Sequence, residues 1–351
     1  PGGRLRHHAQ EPCRVTETLE PVAVAEPEPG VHVFDMGQNF AGWVRLRVRG
    51  EAGTCVRMRF AENLDRSGML NTSTGDPAEQ TDTYTLKGDG EEVWEPRFTY
   101  HGFRYVEVTG YPGAPTRQAL TGCVVRSSCE QAGEFRCTDE VINHVHRCTI
   151  WAQKSNMMGL PTDDCQRPER MGWMGDAHVA CDQALCNFDT VRFYRKWLRD
   201  CADQQLPSGD VPYICPRPMN GGTPCWSSAY VLVPWYCYRA TGDLRLLDEH
   251  YEGMKRYVEF LHGEADALIL PRDRYGDHST PITSPSYERG DPEMSSTWYL
   301  LYNTLVLARA AELLGKPEEA REHEVAQAGE NEGVSEARAG NDEGAQEHAQ
   351  S

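Results

Sequence analysis

Four carboxylates, two arginines and a tryptophan fall within the sixteen residues Pro161-Thr-Asp-Asp-Cys-Gln-Arg-Pro-Glu-Arg-Met-Gly-Trp-Met-Gly-Asp176. Pro161, Pro168, Gly172 and Gly175 keep this run out of regular helix, so its polar groups project from a loop that feeds a helix beginning near Asp176. Glycoside hydrolysis needs such an inventory: one carboxylic acid to protonate the leaving oxygen, one carboxylate to activate water, and further acids to bind sugar hydroxyls. A ring such as Trp173 offers a flat apolar face to a sugar. Crowding by Asp163, Asp164 and Asp176 is expected to raise the pKa of Glu169, because like charges and partial desolvation both disfavour ionisation. The same residues also have plainer readings. Asp176 serves as a helix N-cap, Glu169 as a surface ion pair between Arg167 and Arg170, and Trp173 as core. On local chemistry alone the segment is a loop with a polar site.

The elements that must hold this loop change period along the chain. Residues 1–30 are rich in Pro, Glu and Arg without hydrophobic rhythm and read as a linker or the remnant of a preceding domain. Over residues 31–130 the period is two: Val44, Leu46 and Val48 alternate with Arg45, Arg47 and Arg49, and Val56, Met58 and Phe60 repeat the pattern. Further strands are expected at Asp82–Lys87, Val93–Phe98, Phe103–Thr109 and Leu120–Val125, which makes an antiparallel β-sandwich. Over residues 131–315 the period lengthens. Thr138 is expected to cap a helix whose stripe is Val141, Ile142, Val145, Cys148 and Ala152. Helical patterns recur near 177–187, 189–205, 227–241, 244–262 and 295–314, six helices of an all-α domain. Residues 316–351 read as an acidic disordered tail: from Pro317 onward there are ten acids, two arginines and no aromatic residue.

Composition narrows the function. The 351 residues carry a formal charge of −18, with 53 acids against 35 bases and no basic block, which argues against a nucleic-acid surface. No apolar run approaches the roughly 18 residues of a membrane span. Thirteen cysteines, an odd number, show neither C-x-x-C nor zinc spacing; free thiols in a reducing compartment are the expected reading, and with it a cytoplasmic location. His7–His8 and His144/His146 lack partners at ligand spacing, so no metal is expected, and no phosphate loop, dinucleotide fingerprint or nucleophile elbow calls for a cofactor. Asn71-Thr-Ser73 is a formal glycosylation sequon with meaning only in eukaryotic export.

The run Asp163–Ala177, followed by Asn187-Phe-Asp189, Lys196-Trp-Leu and Gly209-Asp-Val-Pro212, resembles the catalytic-domain signature of bacterial α-L-rhamnosidases, inverting glycoside hydrolases. Upstream, Phe34-Asp-Met-Gly-Gln-Asn-Phe-Ala-Gly-Trp43 and Pro96-Arg-Phe-Thr-Tyr-His-Gly-Phe-Arg-Tyr105 look like the β-sandwich that precedes that domain. The resemblance implies an (α/α)6 toroid of six hairpins, of which this chain carries about half. It makes Glu169 the general acid and Asp163 or Asp164, Trp173 and Asp176 sugar ligands, with Arg167 beside them. Trp226 and Tyr275-Gly-Asp277 resemble further cleft-lining stretches. Three departures stand out: Pro168 where many members carry a charge, Ser228 where an acid is expected, and His278 where a tryptophan is expected.

The general base of the family is a glutamate on a late hairpin, and Glu330, Glu332 and Glu336 lie in Gly/Ala-rich surroundings unlike it. The expectation is an enzyme that hydrolyses terminal L-rhamnose from glycosides, with little or no activity in this chain. The alternatives are another six-hairpin glycosidase, or a non-catalytic carbohydrate-binding remnant. Helices left uncovered by absent hairpins are expected to expose apolar stripes and to promote association.

Overall fold

The structure, a computed structural model of the chain, describes residues 7–217, 221–266, 268–271, 275–276 and 292–323. By its internal contacts the chain divides into two units, Pro1–Met171 with Asn187–Phe193, and Gly172–Cys186 with Tyr194–Ser351.

The first unit is a curled antiparallel sheet. Its strands are β1 (Cys13–Leu19), β2 (Ala23–Glu28), β3 (Val31–Arg49), β4 (Cys55–Ala61), β5 (Asn63–Leu64), β6 (Leu70–Asn71), β7 (Thr81–Thr85), β8 (Glu91–Trp94), β9 (His101–Thr109) and β10 (Leu120–Ser127). The main path runs β1-β10-β3-β9-β4-β7, with β2 and β8 also paired to β3; β5 and β6 form a separate ribbon. The nineteen residues of β3 change neighbours along their length: residues 31–35 lie between β2 and β9, residues 42–46 pair with β10, and residues 46–49 pair with β8. The alternation in the sequence is what the sheet buries. Val44, Leu46, Val48, Val56, Met58 and Phe60 enter one core with Phe34, Phe40, Phe103 and Val106. On the other face Arg45 pairs with Glu95 at 3.1 Å and Arg47 with Glu91 at 2.7 Å.

Within the stretch expected to be a linker or the remnant of a preceding domain, residues 13–19 and 23–28 are strands. β1 runs along β10 from Cys13 opposite Ser127 to Leu19 opposite Gly122, with a bulge between Val15 and Glu17, and is the outer strand of the path. An edge strand is held by backbone hydrogen bonds and needs no strong hydrophobic period, so its sequence gives little warning.

Helix α1 (Glu140–Ser155) also belongs to the first unit, packing on β3 and β10. Its cap is Asp139, not Thr138. The Asp139 carboxylate accepts the N–H of Val141 at 2.8 Å and of Ile142 at 3.3 Å, because Asp139 is the last residue with extended backbone. The apolar stripe faces the other way from expectation: Val141 is 72% exposed and Val145 58%, with Ile142, Cys148 and Ala152 also exposed. The buried face carries Asn143, Gln153 and the half-buried Trp151, which packs against the sheet core. Asn143 is satisfied there by exchanging hydrogen bonds of 2.8 and 2.9 Å with the backbone of Cys137. The uncovered stripe is of the kind that drives association.

The second unit is helical. Its helices are α2 (Met174–Asn187) and α3 (Val191–Gln204), whose abutting ends are counted with the first unit, then α4 (Pro224–Ser227), α5 (Ala229–Thr241), α6 (Arg245–Glu264) and α7 (Pro292–Leu313). α5 stops at Gly242, whose φ of 72° provides the left-handed cap and whose N–H bonds Tyr238 O. α6 then returns against α5 as a helical hairpin, and α7 packs on α4, α5 and α6. Trp197, Tyr194, Tyr230, Tyr251, Tyr257 and Leu300 are fully buried. On the polar side of α3, Arg195 and Arg199 both pair with Glu249 of α6, at 2.7 and 2.5 Å.

The tail begins later than its composition suggests. Residues 317–323 are helical, Ala320 and His323 are buried, and Glu319 pairs with Lys255 at 2.7 Å. Lys316 bonds Glu252 at 3.0 Å. These ion pairs hold the first turns after α7; residues 324–351, including Glu330, Glu332 and Glu336, lie outside the described residues. Among the described residues no helix is long and apolar enough to cross a membrane.

Candidate functional site

The acid loop of the first unit is pinched shut at its neck. Asp163 N–H donates to Met171 O at 3.2 Å, and Met171 N–H donates to the Asp163 carboxylate at 2.7 Å. Between them, Arg167 N–H bonds Asp164 O at 3.1 Å to form a tight turn, and Arg170 takes a positive φ of 52°. Arg170 fastens the loop from within. Its guanidinium donates to Cys165 O at 3.2 Å and Tyr100 O at 2.7 Å, and stacks 3.9 Å above the Tyr100 ring. The buried Cys165 lies against Gly102, where a Cβ would stand 2.5 Å from its sulfur.

This closure brings Asp163, Asp164 and Glu169 together, each half-buried, with one carboxylate oxygen from each within 4.8 Å of the others. The crowding that the sequence reading assigned to Glu169 acts on Asp163. Its carboxyl is pushed up to about 7, chiefly by burial and also by its hydrogen bond to Glu169 and the charges of Glu169 and Asp164; the Met171 N–H opposes the rise. A carboxyl in that position exchanges its proton near neutral pH. Three convergent carboxylates are also a cation ligand set, the one such group among the described residues. Arg167 is exposed and anchored, 3.5 Å from Asp164 and donating to Thr74 O at 3.0 Å.

The aromatic part of the inventory lies in the second unit. Gly172 and Met174 pair with the backbone of Cys215 and Tyr213 at 2.8 and 3.0 Å, which starts α2 at Met174. Asp176 is therefore inside the first turn of α2, not its N-cap, where its charge favours the helix dipole. Trp173 meets Tyr213 at 5.7 Å and Tyr275 at 6.1 Å between ring centroids, and Trp226 meets Tyr275 at 4.7 Å. The exposed Asp176 and the half-buried Trp226 line one cavity of about 630 Å³, together with His178, Met294, Trp298 and Tyr299. His178 Nε2 bonds Cys225 O at 2.8 Å, and burial lowers its pKa. Asp277 and His278 lie outside the described residues.

Ser228, the departure from an expected acid, is fully buried. It donates to Pro224 O at 2.6 Å and accepts from the Asn303 amide at 2.7 Å. Tyr213, Trp298 and Tyr299 were not singled out from sequence; aromatic residues on α7 read as core, and only the position of Tyr213 directly after Gly209-Asp-Val-Pro212 was a signal.

Gly175 sets how close Trp226 comes to α2. A Cβ at Gly175 would stand 2.7 Å from the Trp226 indole Cδ1 and Nε1. Gly175→Ala is therefore expected to displace the Trp226 ring from the first turn of α2. Near-ultraviolet circular dichroism of the two forms checks this, and an identical aromatic spectrum would show that the ring keeps its place.

Residues 130–336 match the bacterial alpha-L-rhamnosidase 6 hairpin glycosidase domain, and residues 25–126 the bacterial alpha-L-rhamnosidase concanavalin-like domain. An alpha-L-rhamnosidase of Streptomyces avermitilis is 40% identical over 307 residues, which is 87% of this chain and 29% of that protein. Among solved structures, alpha-L-rhamnosidase from Dictyoglumus thermophilum is similar with a TM-score of 0.89 and 43% identity, over 92% of this chain and 37% of that one. The S. avermitilis enzyme complexed with L-rhamnose gives a TM-score of 0.87 and 38% identity, over 93% and 31% of the respective chains. The chain spans about a third of the length of these relatives. Matched over more than half of its own length by the hairpin-domain pattern, and over most of the remainder by the concanavalin-like pattern, the chain belongs to the bacterial alpha-L-rhamnosidase family.

Proposed function

We propose that this chain carries the proton-donating and sugar-binding parts of an alpha-L-rhamnosidase, a hydrolase that releases terminal L-rhamnose from glycosides with inversion. The observation that carries this reading is the carboxylate cluster, in which Asp163 keeps a proton near neutral pH and shares a hydrogen bond with Glu169. A proton held between two carboxylates belongs to the pair, so Glu169 can pass it to the leaving glycosidic oxygen. Asp164 and Arg167 accept and donate hydrogen bonds to sugar hydroxyls. In the second unit Asp176 does the same, while Trp173 and Trp226 supply apolar faces for the ring or its methyl group. The relative from S. avermitilis is complexed with L-rhamnose, which supports the choice of sugar. Thirteen cysteines without disulfide or zinc spacing support a cytoplasmic location.

The chain by itself binds without turnover. Inversion needs its second carboxylate roughly 6.5–9.5 Å from the acid, with water between them. Among the described residues, the acids assembled with Glu169 lie within 4.8 Å of it, closer than that spacing. The test is calorimetric titration with L-rhamnose beside hydrolysis of an aryl α-L-rhamnoside, on the wild type and Glu169→Gln. Rhamnose should bind both forms within about threefold of each other, with no aryl release from either. Absence of rhamnose binding would overturn the sugar reading; ordinary turnover by the wild type would overturn the claim that the chain lacks its base.

A further inference from the structure

The neck bonds between Asp163 and Met171 close the acid loop on itself, but they do not fix where it stands. Its seat does, and the seat belongs to the sheet of the first unit. Arg167 donates to Thr74 O at 3.0 Å, in a turn closed by a bond of 3.0 Å from Gly75 N–H to Thr72 O. Arg170 donates to Tyr100 O at 2.7 Å and stacks on the Tyr100 ring. The loop backbone at Cys165 and Gln166 lies on Gly102, near the start of β9.

Gly102 is the tightest of these contacts. A Cβ on it would stand 2.5 Å from the Cys165 sulfur, 2.7 Å from the Gln166 amide nitrogen and 3.0 Å from the Cys165 carbonyl carbon. The residue lies in a strand opposite Ala41, so its backbone would admit alanine, and the glycine is there for space. A glycine inside a strand weakens it and marks a place where another backbone comes close. The sulfur could swing aside, but the Gln166 nitrogen is main chain and moves only with the loop. The floor is also stiff. The Gln80 side chain accepts from Gly102 N–H at 2.8 Å and donates to Gly102 O at 3.1 Å, which holds both polar groups of the glycine.

On the loop side, Arg170 keeps its positive φ of 52°, a costly conformation that persists only where the surroundings over-determine it. Its bonds to two carbonyls and its ring stack do so. Glu169 precedes it in the chain, and Asp164 and Arg167 ride on the same closed loop. A carboxyl that passes its proton to a leaving oxygen must stand within hydrogen-bond reach, and a misplacement of about 1 Å costs on the order of a hundredfold. We propose that Gly102 and Tyr100 are positioning residues for this acid: the sheet unit sets the height of the Glu169 loop, and so acts on the sugar without touching it. This rests on the reading of Glu169 as the proton donor and of its loop neighbours as sugar ligands.

Cys165 reports the seat directly. It is buried, with its sulfur against Gly102, so lifting the loop exposes it, whereas Cys123 and Cys129 of the same unit are buried beside Glu95 and Glu11. Alkylation of the full chain by N-ethylmaleimide, mapped by peptide mass spectrometry, is read beside calorimetric titration with L-rhamnose. Gly102→Ala should speed alkylation of Cys165 about tenfold and weaken rhamnose binding by a similar factor, while Cys123 and Cys129 stay protected. Tyr100→Leu should do the same. Tyr100→Phe keeps a ring under Arg170 and should stay within about threefold of the wild type on both readouts. If Gly102→Ala bares Cys123 and Cys129 in step with Cys165, the unit has opened as a whole and the two Tyr100 forms decide. Unchanged alkylation of Cys165 in both Gly102→Ala and Tyr100→Leu, or faster alkylation with unaltered rhamnose affinity, would overturn the proposal. A wild type that binds no rhamnose would sink the sugar reading and the positioning role with it, even where alkylation shows the loop seated.

Discussion

Asp163→Asn is expected to stabilise the first unit at pH 8 by about 1–2 kcal/mol and to remove a stability gradient between pH 4 and pH 7. In the folded chain the Asp163 carboxyl is pushed up to about 7 from an ordinary value of 3.8. Between those two values the folded state holds a proton that the unfolded state has released. Stability from this group is therefore fully present below about pH 4 and is lost as pH rises through 7, above which the folded state bears the whole cost of burying the charge. A shift of that size sets a ceiling of about 4 kcal/mol; solvent screening of a half-exposed carboxyl reduces it to about 1–2 kcal/mol. For a unit of this size that is a rise of about 3–8 °C in Tm. Asparagine keeps an acceptor for the Met171 N–H and donates to Glu169 without a charge. Thermal melts of both forms at pH 5 and pH 8 measure the effect. A wild type whose Tm is flat over that range, or an Asp163→Asn form that keeps the gradient, would place the proton elsewhere.

Trp197→Ala should destabilise the second unit by about 3–5 kcal/mol, a large part of the roughly 5–15 kcal/mol that holds a domain. The indole is fully buried on α3, and its N–H donates to Cys215 O at 2.9 Å. Alanine leaves a cavity and an unpaired carbonyl; Trp197→Phe keeps most of the packing and loses chiefly the hydrogen bond, at about 1–2 kcal/mol. Urea unfolding followed by far-ultraviolet circular dichroism separates the two. A loss under 1 kcal/mol for the alanine form would mean that the pocket around the ring collapses to fill itself.

The two architectural classes were legible because each carries its period openly. Val44, Leu46 and Val48 against three arginines can satisfy only a half-buried strand, and α6 places Leu247, Tyr251, Met254 and Val258 on one face at helical spacing. What the sequence concealed follows from interactions that leave no hydrophobic period. β1 is held at the sheet edge by its backbone, and α1 buries amides that pair locally while turning its aliphatic stripe outward. The acid loop was legible as a group of carboxylates held out of helix by Pro168 and Gly172. Which carboxyl retains the proton was not, because that depends on the Met171–Asp163 closure. The burial of Ser228 under Asn303 was likewise invisible, since the two are 75 positions apart.

The course of β3 has a consequence for how the sheet comes apart. The strand that borders β2 and β9 near Val33 is the same one that borders β10 near Val44 and β8 near Val48. Neither end can be peeled away without disturbing the other, so deuterium is expected to enter the backbone at Val33 and Val44 at a common slow rate set by opening of the whole sheet. A protease reaches the interior of that strand only in molecules that have already come undone.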